Sequence, residues 1–158
     1  MQPDRFQYDL ENCGIRRALD VVGEKWTLLI LREAVYGVRR FDDFARALRC
    51  GRGVLSDRLK SLTSAGVLEQ RDYALSGQRP RSEYHLTDKG RDLFPTLVAL
   101  SQWSERWTPA RDGPVAKITD RRTGNAARVV LTSDAEIACL TMMDVVISPG
   151  PGARLIEQ

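Results

Sequence analysis

The sequence predicts a mainly α-helical domain that carries a β-hairpin, followed by a small β-rich C-terminal appendage. Three observations support this fold class. Apolar residues recur at helical spacing before Gly66, the spacing then becomes that of strands, and the composition shifts again after Pro109. We therefore place one domain at residues 1–110 and a C-terminal extension at residues 111–158.

Four helices are predicted before Gly66, because apolar residues three and four apart are bounded by glycines or polar turns. The predicted ranges are residues 13–22, 25–35, 41–48 and 52–65. The turn Arg49-Cys50-Gly51 joins the last two helices, as in a helix-turn-helix.

Two strands follow, at residues 67–75 and 83–86, joined by a polar and basic loop. A further helix is predicted from Thr87-Asp88 to about Trp107, and Pro95 should kink it or reset its start. Three helices closed by a two-stranded ribbon form a winged helix-turn-helix. Within the extension, short strands are predicted at residues 116–119, 128–131 and 145–148.

Composition argues against several classes of protein. No apolar stretch approaches the roughly 20 residues of a membrane helix, and the N-terminus lacks the apolar block of a signal peptide, so we expect a cytoplasmic protein without membrane contact. Three scattered cysteines and a single histidine fit no zinc or disulfide pattern, so no metal or cofactor is expected. Paired carboxylates at suggestive spacing and a phosphate-binding glycine loop are missing, and we expect no catalytic residues and no enzyme.

Positive charge is concentrated in one central segment. Residues 39–60 hold seven basic and three acidic side chains, a local net charge of +4 in a chain whose net charge is +3. Residues 111–158, by contrast, are neutral. A solvated helical face would also be charged, but a basic helix-turn-helix followed by a basic hairpin is typical of DNA binding.

The second helix of a helix-turn-helix fits the major groove, so its outward face should read DNA. With Leu55, Leu59 and Leu62 directed inward, polar residues of that helix face outward. Arginines before the third helix and in the hairpin loop would add phosphate contacts. The candidate DNA-binding residues are Arg39, Arg40, Arg52, Gly53, Ser56, Asp57, Arg58, Lys60, Arg79 and Arg81. The alternative is a winged-helix protein-interaction module without specific DNA binding.

Four segments resemble the HxlR family of regulators, relatives of the MarR winged-helix proteins. They are CGIRRALDVVGEKWTLLILRE at residues 13–33, VLSDRLKSL and GVL at residues 54–62 and 66–68, and PRSEYHLTDKG at residues 80–90. The resemblance extends over about residues 12–108. One departure concerns the start of the recognition helix, where Arg52-Gly53 replaces the Pro-Lys pair that the family often has, which puts the operator sequence in doubt. A cysteine-rich C-terminal appendage of longer members is reduced here to Cys139.

The resemblance implies a homodimeric repressor or activator that binds a near-palindromic operator in double-stranded DNA. Its terminal helices would pair two subunits, or pack only within one subunit. The candidate dimer-interface residues are Phe94, Leu97, Leu100, Trp103 and Trp107. We therefore predict a sequence-specific transcription regulator, a homodimeric repressor that responds to a small molecule or a thiol-reactive signal.

The signal has two kinds of candidate. Cys13 matches a family position that serves as a sensing thiol in some members, and Cys50 precedes the recognition helix, although either cysteine could serve only in packing. Alternatively, Trp26, Trp103 and Trp107 could line a pocket for a small-molecule effector, or belong to the core. The β-rich appendage could be an effector module, a dimer-stabilising flap or a surface extension.

Overall fold

The computed structural model describes residues 11–73, 81–133, 137 and 139–154. The chain divides into two compact units, Met1–Gly90 and Arg91–Gln158. The sequence had suggested a boundary at residue 110, so the helix expected to end the first domain is grouped with the C-terminal residues instead.

The first unit begins with four helices: α1 (Gly14–Val22), α2 (Lys25–Val35), α3 (Phe41–Leu48) and α4 (Arg52–Ser64). Each matches its predicted range to within one residue. Cys13 is the N-cap residue of α1, and Ala65 is the C-cap residue of α4. The helix-turn-helix is thus formed by α3, the turn at residues 49–51 and α4.

The core of the first unit lies between α2, α3, α4 and the start of the hairpin. Its largest fully buried side chains are Phe44, Ile30, Leu31, Leu55, Leu59, Leu62, Leu68 and Val67. On α2, Thr27, Ile30, Leu31 and Ala34 are buried, whereas Trp26 and Leu29 are half-buried. Helix α2 packs against α1, α3, α4 and the hairpin, so more than one of its faces is covered.

The hairpin, or wing, consists of β1 (Leu68–Tyr73) and β2 (Arg81–Leu86), which pair antiparallel. Strand β2 begins two residues earlier than predicted, so Arg81 belongs to the strand and not to the loop. A backbone bridge between Arg40 and Glu83 joins the chain before α3 to β2. The backbone N–H of Tyr84 donates to the carbonyl oxygen of Arg39 at 2.8 Å, and this contact holds the wing beside the helix-turn-helix.

The exit from α4 is closed by hydrogen bonds from the start of the next helix. Gly66 has a φ of 68°, which glycine adopts without strain. The Thr87 hydroxyl donates to the carbonyl oxygen of Gly66 and the Lys89 ammonium donates to that of Ala65, both at 2.7 Å. Carbonyls left unpaired at a helix end are thereby satisfied. A Cβ atom at Gly90 would lie 2.3 Å from the carbonyl oxygen of Val67, so only glycine fits this close approach.

The single long helix predicted after the wing is divided into α5 (Asp88–Arg91) and α6 (Phe94–Trp107). Pro95 lies in the first turn of α6, where its missing N–H leaves no intrahelical bond unmade. Proline therefore resets the helix start here, one of the two outcomes that its position predicted. Among the described residues, every helix is too short or too polar to span a lipid bilayer.

The extension contains β3 (Ala116–Asp120), a 3₁₀ turn (Met142–Asp144) and β4 (Val145–Pro149), and the two strands pair antiparallel. The strand predicted at residues 128–131 is wrong. Val129, Val130 and Leu131 form no strand ladder among the described residues, and Leu131 is fully exposed. A β-branched apolar run favours extended backbone, but a strand also needs a partner for its N–H and C=O groups. The fold class itself, mainly α with a wing and a small β-rich extension, is confirmed.

Replacing Leu59 by alanine should lower the free energy of unfolding by about 2–5 kcal/mol, because its side chain is fully buried and leaves a cavity. Urea unfolding followed by circular dichroism measures the change. Val54→Ala is the matched control on the same helix, since Val54 is 42% exposed, and it should change the free energy by less than about 0.5 kcal/mol. Equal losses for the two variants would contradict this packing of α4.

Candidate nucleic-acid interface

Helix α4 presents one apolar face to the core and a polar face to solvent. Arg52, Gly53, Asp57 and Lys60 are exposed, while Ser56 and Arg58 are half-buried beside them, so the predicted outward positions of α4 all reach the surface. A Cβ atom at Gly53 would meet nothing within 4 Å, and its lack of a side chain is therefore not required by the fold. The exposed Val54 was missed by the sequence reasoning, because a lone valine beside a leucine stripe resembles core.

Arg52, the first residue of α4, is held by two side chains of the first turn of α3. Its Nη2 lies 3.1 Å from Oδ1 of Asp42, and its guanidinium carbon lies 4.7 Å from the centroid of the Phe41 ring. The arginine and the aspartate are 70% and 71% exposed. Arg52 is thus oriented by an ion pair and a cation–π contact while its side chain stays at the surface.

Arg40 is anchored to the wing. Its Nε donates to Oε1 of Glu83 at 3.1 Å, and Oε2 of the same carboxylate lies 3.2 Å from Nε2 of His85. The hydrogen bond from Arg40 is the main cause that lowers the pKa of Glu83, and the contact with His85 lowers it further. The carboxylate therefore stays charged and keeps Arg40 at the junction of wing and α3.

A cleft of about 460 Å³ lies between the N-terminal ends of α3 and α4 and the wing. It brings together three arginines that are far apart in the sequence. The lining residues are Arg40, Phe41, Asp42, Arg52, Gln70, Arg81, Ser82 and Tyr84. The sequence predicted the arginines as separate contacts and missed the rest. Gln70 pairs with Tyr84, and Ser82 lies two residues before Tyr84, so these three polar residues share one face of the ribbon, a period-two signal that could have identified them.

Unlike the three arginines that line the cleft, Arg39 is hydrogen-bonded to the backbone near the end of α2. Its Nη1 donates to the carbonyl oxygens of Ala34 and Val38, at 2.5 and 3.0 Å, so the guanidinium caps the C-terminal end of α2. Burial lowers the pKa of Arg39, and the charge of Glu83 partly opposes that shift. The expectation of a phosphate contact from Arg39 is corrected accordingly: the side chain has a structural role. Arg79 lies outside the described residues.

The surface around the cleft carries charged side chains of both signs. The basic residues are Arg40, Arg52, Arg58, Lys60 and Arg81, and the acids are Asp42, Asp57 and Glu83. Arg46 pairs with Asp43 at 2.6 Å on α3. Arg40, Arg46 and Arg52 are thus each paired with an acid.

The candidate dimer residues differ in exposure. Phe94 is 7% exposed and Leu97 half-buried, whereas Leu100, Trp103 and Trp107 are 49%, 61% and 62% exposed. At 100° per residue the last three lie within about 60° of each other around α6, and Phe94 lies about opposite. Phe94 is therefore corrected from a partner-facing to a buried residue. The Arg106 guanidinium lies 5.0 Å from the Trp107 ring centroid.

The cysteines occupy three separate environments. Cys13 is half-buried at the N-cap of α1, Cys50 is half-buried in the turn before α4, and Cys139 is exposed. Within the described ranges, no group of three or more His, Cys, Asp or Glu side chains could hold a metal ion.

Known proteins share this architecture. The family model HxlR-like helix-turn-helix matches residues 21–112, more than half of the chain. Among solved structures, the candidate transcription factor PA1607 has a TM-score of 0.69 at 33% identity, over 87% of this chain and 95% of that one. The redox regulator HypR in its oxidised form has a TM-score of 0.54 at 29% identity, over 60% of this chain and 96% of that one.

Sequence relatives agree with the family model. An uncharacterised HTH-type transcriptional regulator of Mycobacterium bovis is 43% identical over 94% of this chain and 93% of its own length. The HTH-type transcriptional regulator YvaP of Bacillus subtilis is 39% identical over 58% of this chain and 83% of its own length. The family model and the mycobacterial relative together show that the chain belongs to the HxlR-like helix-turn-helix family of transcriptional regulators.

Proposed function

We propose that this DNA-binding regulator is a homodimeric repressor that reads a near-palindromic operator in the cytoplasm and responds to a thiol-reactive or small-molecule signal. One observation carries the DNA-binding part of the proposal. Arg40, Arg52 and Arg81 converge on one cleft beside the exposed N-terminal half of α4. Such a convergence suits a recognition helix whose first turn meets bases while neighbouring arginines meet phosphates.

In this mode α4 enters the major groove with its N-terminal half leading. Gly53 lets the backbone approach the base edges, and the exposed Val54 suits apolar contact with a thymine methyl group. Arg81 on the wing and Arg40 before α3 contact the phosphate backbone at the edge of the groove. These contacts fix the register of the protein, and they weaken as salt concentration rises.

The dimer is proposed to form through the exposed apolar face of α6, Leu100, Trp103 and Trp107. Large aromatic side chains are frequent anchors of protein–protein interfaces. Their exposure in a single chain leaves an apolar area that a partner subunit would cover. A twofold dimer would place two α4 helices in successive major grooves, about 34–36 Å apart. Repression would follow where the operator overlaps a promoter.

A thiol-reactive signal is supported by the likeness to HypR, a protein described as a redox regulator and solved in reduced and oxidised forms. Cys13 is the proposed sensor because it lies at the start of α1, where modification of a half-buried thiol would disturb the helix entry. Cys50 is the second candidate, since its modification would displace the turn before α4. A small-molecule effector is the alternative signal.

The experiment is a fluorescence-anisotropy titration of the full chain against duplexes from its own promoter region and scrambled duplexes, at several salt concentrations, with and without a thiol oxidant. Nanomolar binding that exceeds binding to scrambled DNA supports the proposal. Loss of binding on oxidation, resisted by Cys13→Ser, supports the sensor. The acids that pair with arginines on this surface favour one competing function, a protein-interaction module. Equal affinity for every duplex would support that module instead.

Replacing Arg81 by alanine should weaken binding to operator and scrambled duplexes by similar factors, because a phosphate contact carries no sequence information. The slope of log affinity against log salt concentration should fall by about 0.9, the value for one lost contact. Arg39→Gln should leave this slope unchanged and lower only the free energy of unfolding, since it removes a cap of α2. A reduced slope for Arg39→Gln would contradict its structural role.

Gly53→Ala should affect stability and DNA affinity in opposite directions. The added methyl group meets open space in the free protein, and alanine should raise the free energy of unfolding by up to about 1 kcal/mol. In the groove the same methyl group would separate α4 from the base edges, so operator affinity should fall. Ser64→Ala, exposed at the C-terminal end of α4, is the control and should keep operator affinity. Tighter operator binding by Gly53→Ala would contradict the proposed docking.

Trp103→Lys should convert the dimer to a monomer of 17.8 kDa, because a charged side chain would replace a central apolar contact. Sedimentation velocity at micromolar concentration measures the mass. Ser101→Lys is the matched control: Ser101 is exposed about 160° around α6 from Trp103, and a lysine there can still contact Glu105. A Trp103→Lys variant that keeps twice the chain mass would place the dimer contact elsewhere.

A further inference from the structure

We propose that Asp42 is a positioning residue for DNA recognition, which holds Arg52 in the orientation that reads a guanine in the major groove. The inference rests on the proposed DNA-binding function and assigns it a specificity-determining group outside the recognition helix. It starts from the juxtaposition of Asp42, Phe41 and Arg52 at the edge of the cleft.

The contacts around Arg52 restrict its side chain. Arginine has a long side chain with many rotamers, and at the start of an exposed helix these would normally be sampled freely. Here the Phe41 ring supports one face of the guanidinium and Asp42 engages a single nitrogen, Nη2. The remaining N–H groups stay available for acceptors such as O6 and N7 of guanine. Less conformational freedom is then lost when the base is bound.

The carboxylate of Asp42 lowers the attraction of this surface to DNA. Asp42 is 71% exposed on the face proposed to meet DNA, so its charge opposes the approach of phosphates. An exposed ion pair contributes little to folding stability. An acidic side chain in the first turn of α3 also suits the helix dipole, but Asp43 in the same turn already supplies that charge. Asp42 lowers the affinity for DNA, so we explain its position on this face by its effect on the orientation of Arg52.

The neighbouring Asp43 offers a matched control. It lies in the same first turn, carries the same charge and also pairs with an arginine, but its partner is Arg46 on α3 itself. Removing either charge changes the electrostatics of the face in the same direction. Only the removal of Asp42 releases a side chain of the recognition helix, so the two variants separate positioning from charge.

The experiment begins by selecting duplexes from a random pool with the unmodified full-length protein, which defines the preference at each base pair. Affinities of Asp42→Asn, Asp43→Asn and Arg52→Gln are then measured for the selected duplex, for single-position variants of it and for scrambled DNA. Arg52→Gln should lose one guanine preference, about 5- to 150-fold for a bidentate arginine contact.

Asp42→Asn should lose most of the preference at that same position while its affinity for scrambled DNA rises. Asp43→Asn should show the same rise with the preference retained. Phe41→Leu, which removes the supporting ring without a change of charge, should also reduce the preference, and unfolding curves verify that each variant folds. Asp42→Asn with the full guanine preference would overturn the inference and leave the proposed function intact. An unmodified protein that selects no sequence would overturn both.

Discussion

The docking of one leucine stripe determines the rest of the interface. Leu55, Leu59 and Leu62 are buried, and α4 packs against α2, β1 and α3, so a helix that buries this stripe has only one rotational setting. That setting turns Gly53, Asp57 and Lys60 to solvent and directs the N-terminal end of α4 toward α3 and the wing. Because protein cores are close-packed, the helix cannot rotate without opening cavities. The polar surface is therefore as well defined as the core beneath it.

Ion pairs then determine how the basic side chains are presented on that surface. Arg40 is tied to Glu83, Arg52 to Asp42 and Phe41, and Arg39 to the carbonyl oxygens at the end of α2. The two ion pairs lower the uncompensated charge of the face, and all three contacts limit the directions in which a guanidinium can point. In a family of transcriptional regulators, such an arrangement suits selection among sequences better than general attraction to polyanions, since directional contacts to bases carry the specificity.

The two units differ in the character of their surfaces. Of the fifteen large apolar side chains exposed in the described residues, eleven lie after Gly90, among them Trp103, Trp107 and Leu131. The family model ends at residue 112, but the match to the mycobacterial relative extends over 94% of the chain, whereas the match to the Bacillus subtilis regulator covers 58%. The extension is thus shared with some relatives.

The sequence by itself determined the bounds of the first four helices and the order of helices and wing. Helical spacing and glycine stops located α1 to α4 to within one residue, because these signals act over a few neighbouring positions. Pairings between distant segments were decided by the tertiary structure. It directed the Arg39 guanidinium to a carbonyl oxygen at the end of α2 and buried the side chain of Phe94. It also paired Asp42 with Arg52 and left residues 128–131 without a strand partner. Local spacing is encoded in adjacent residues, whereas the partner of a charge or a strand depends on which remote segments the core brings together.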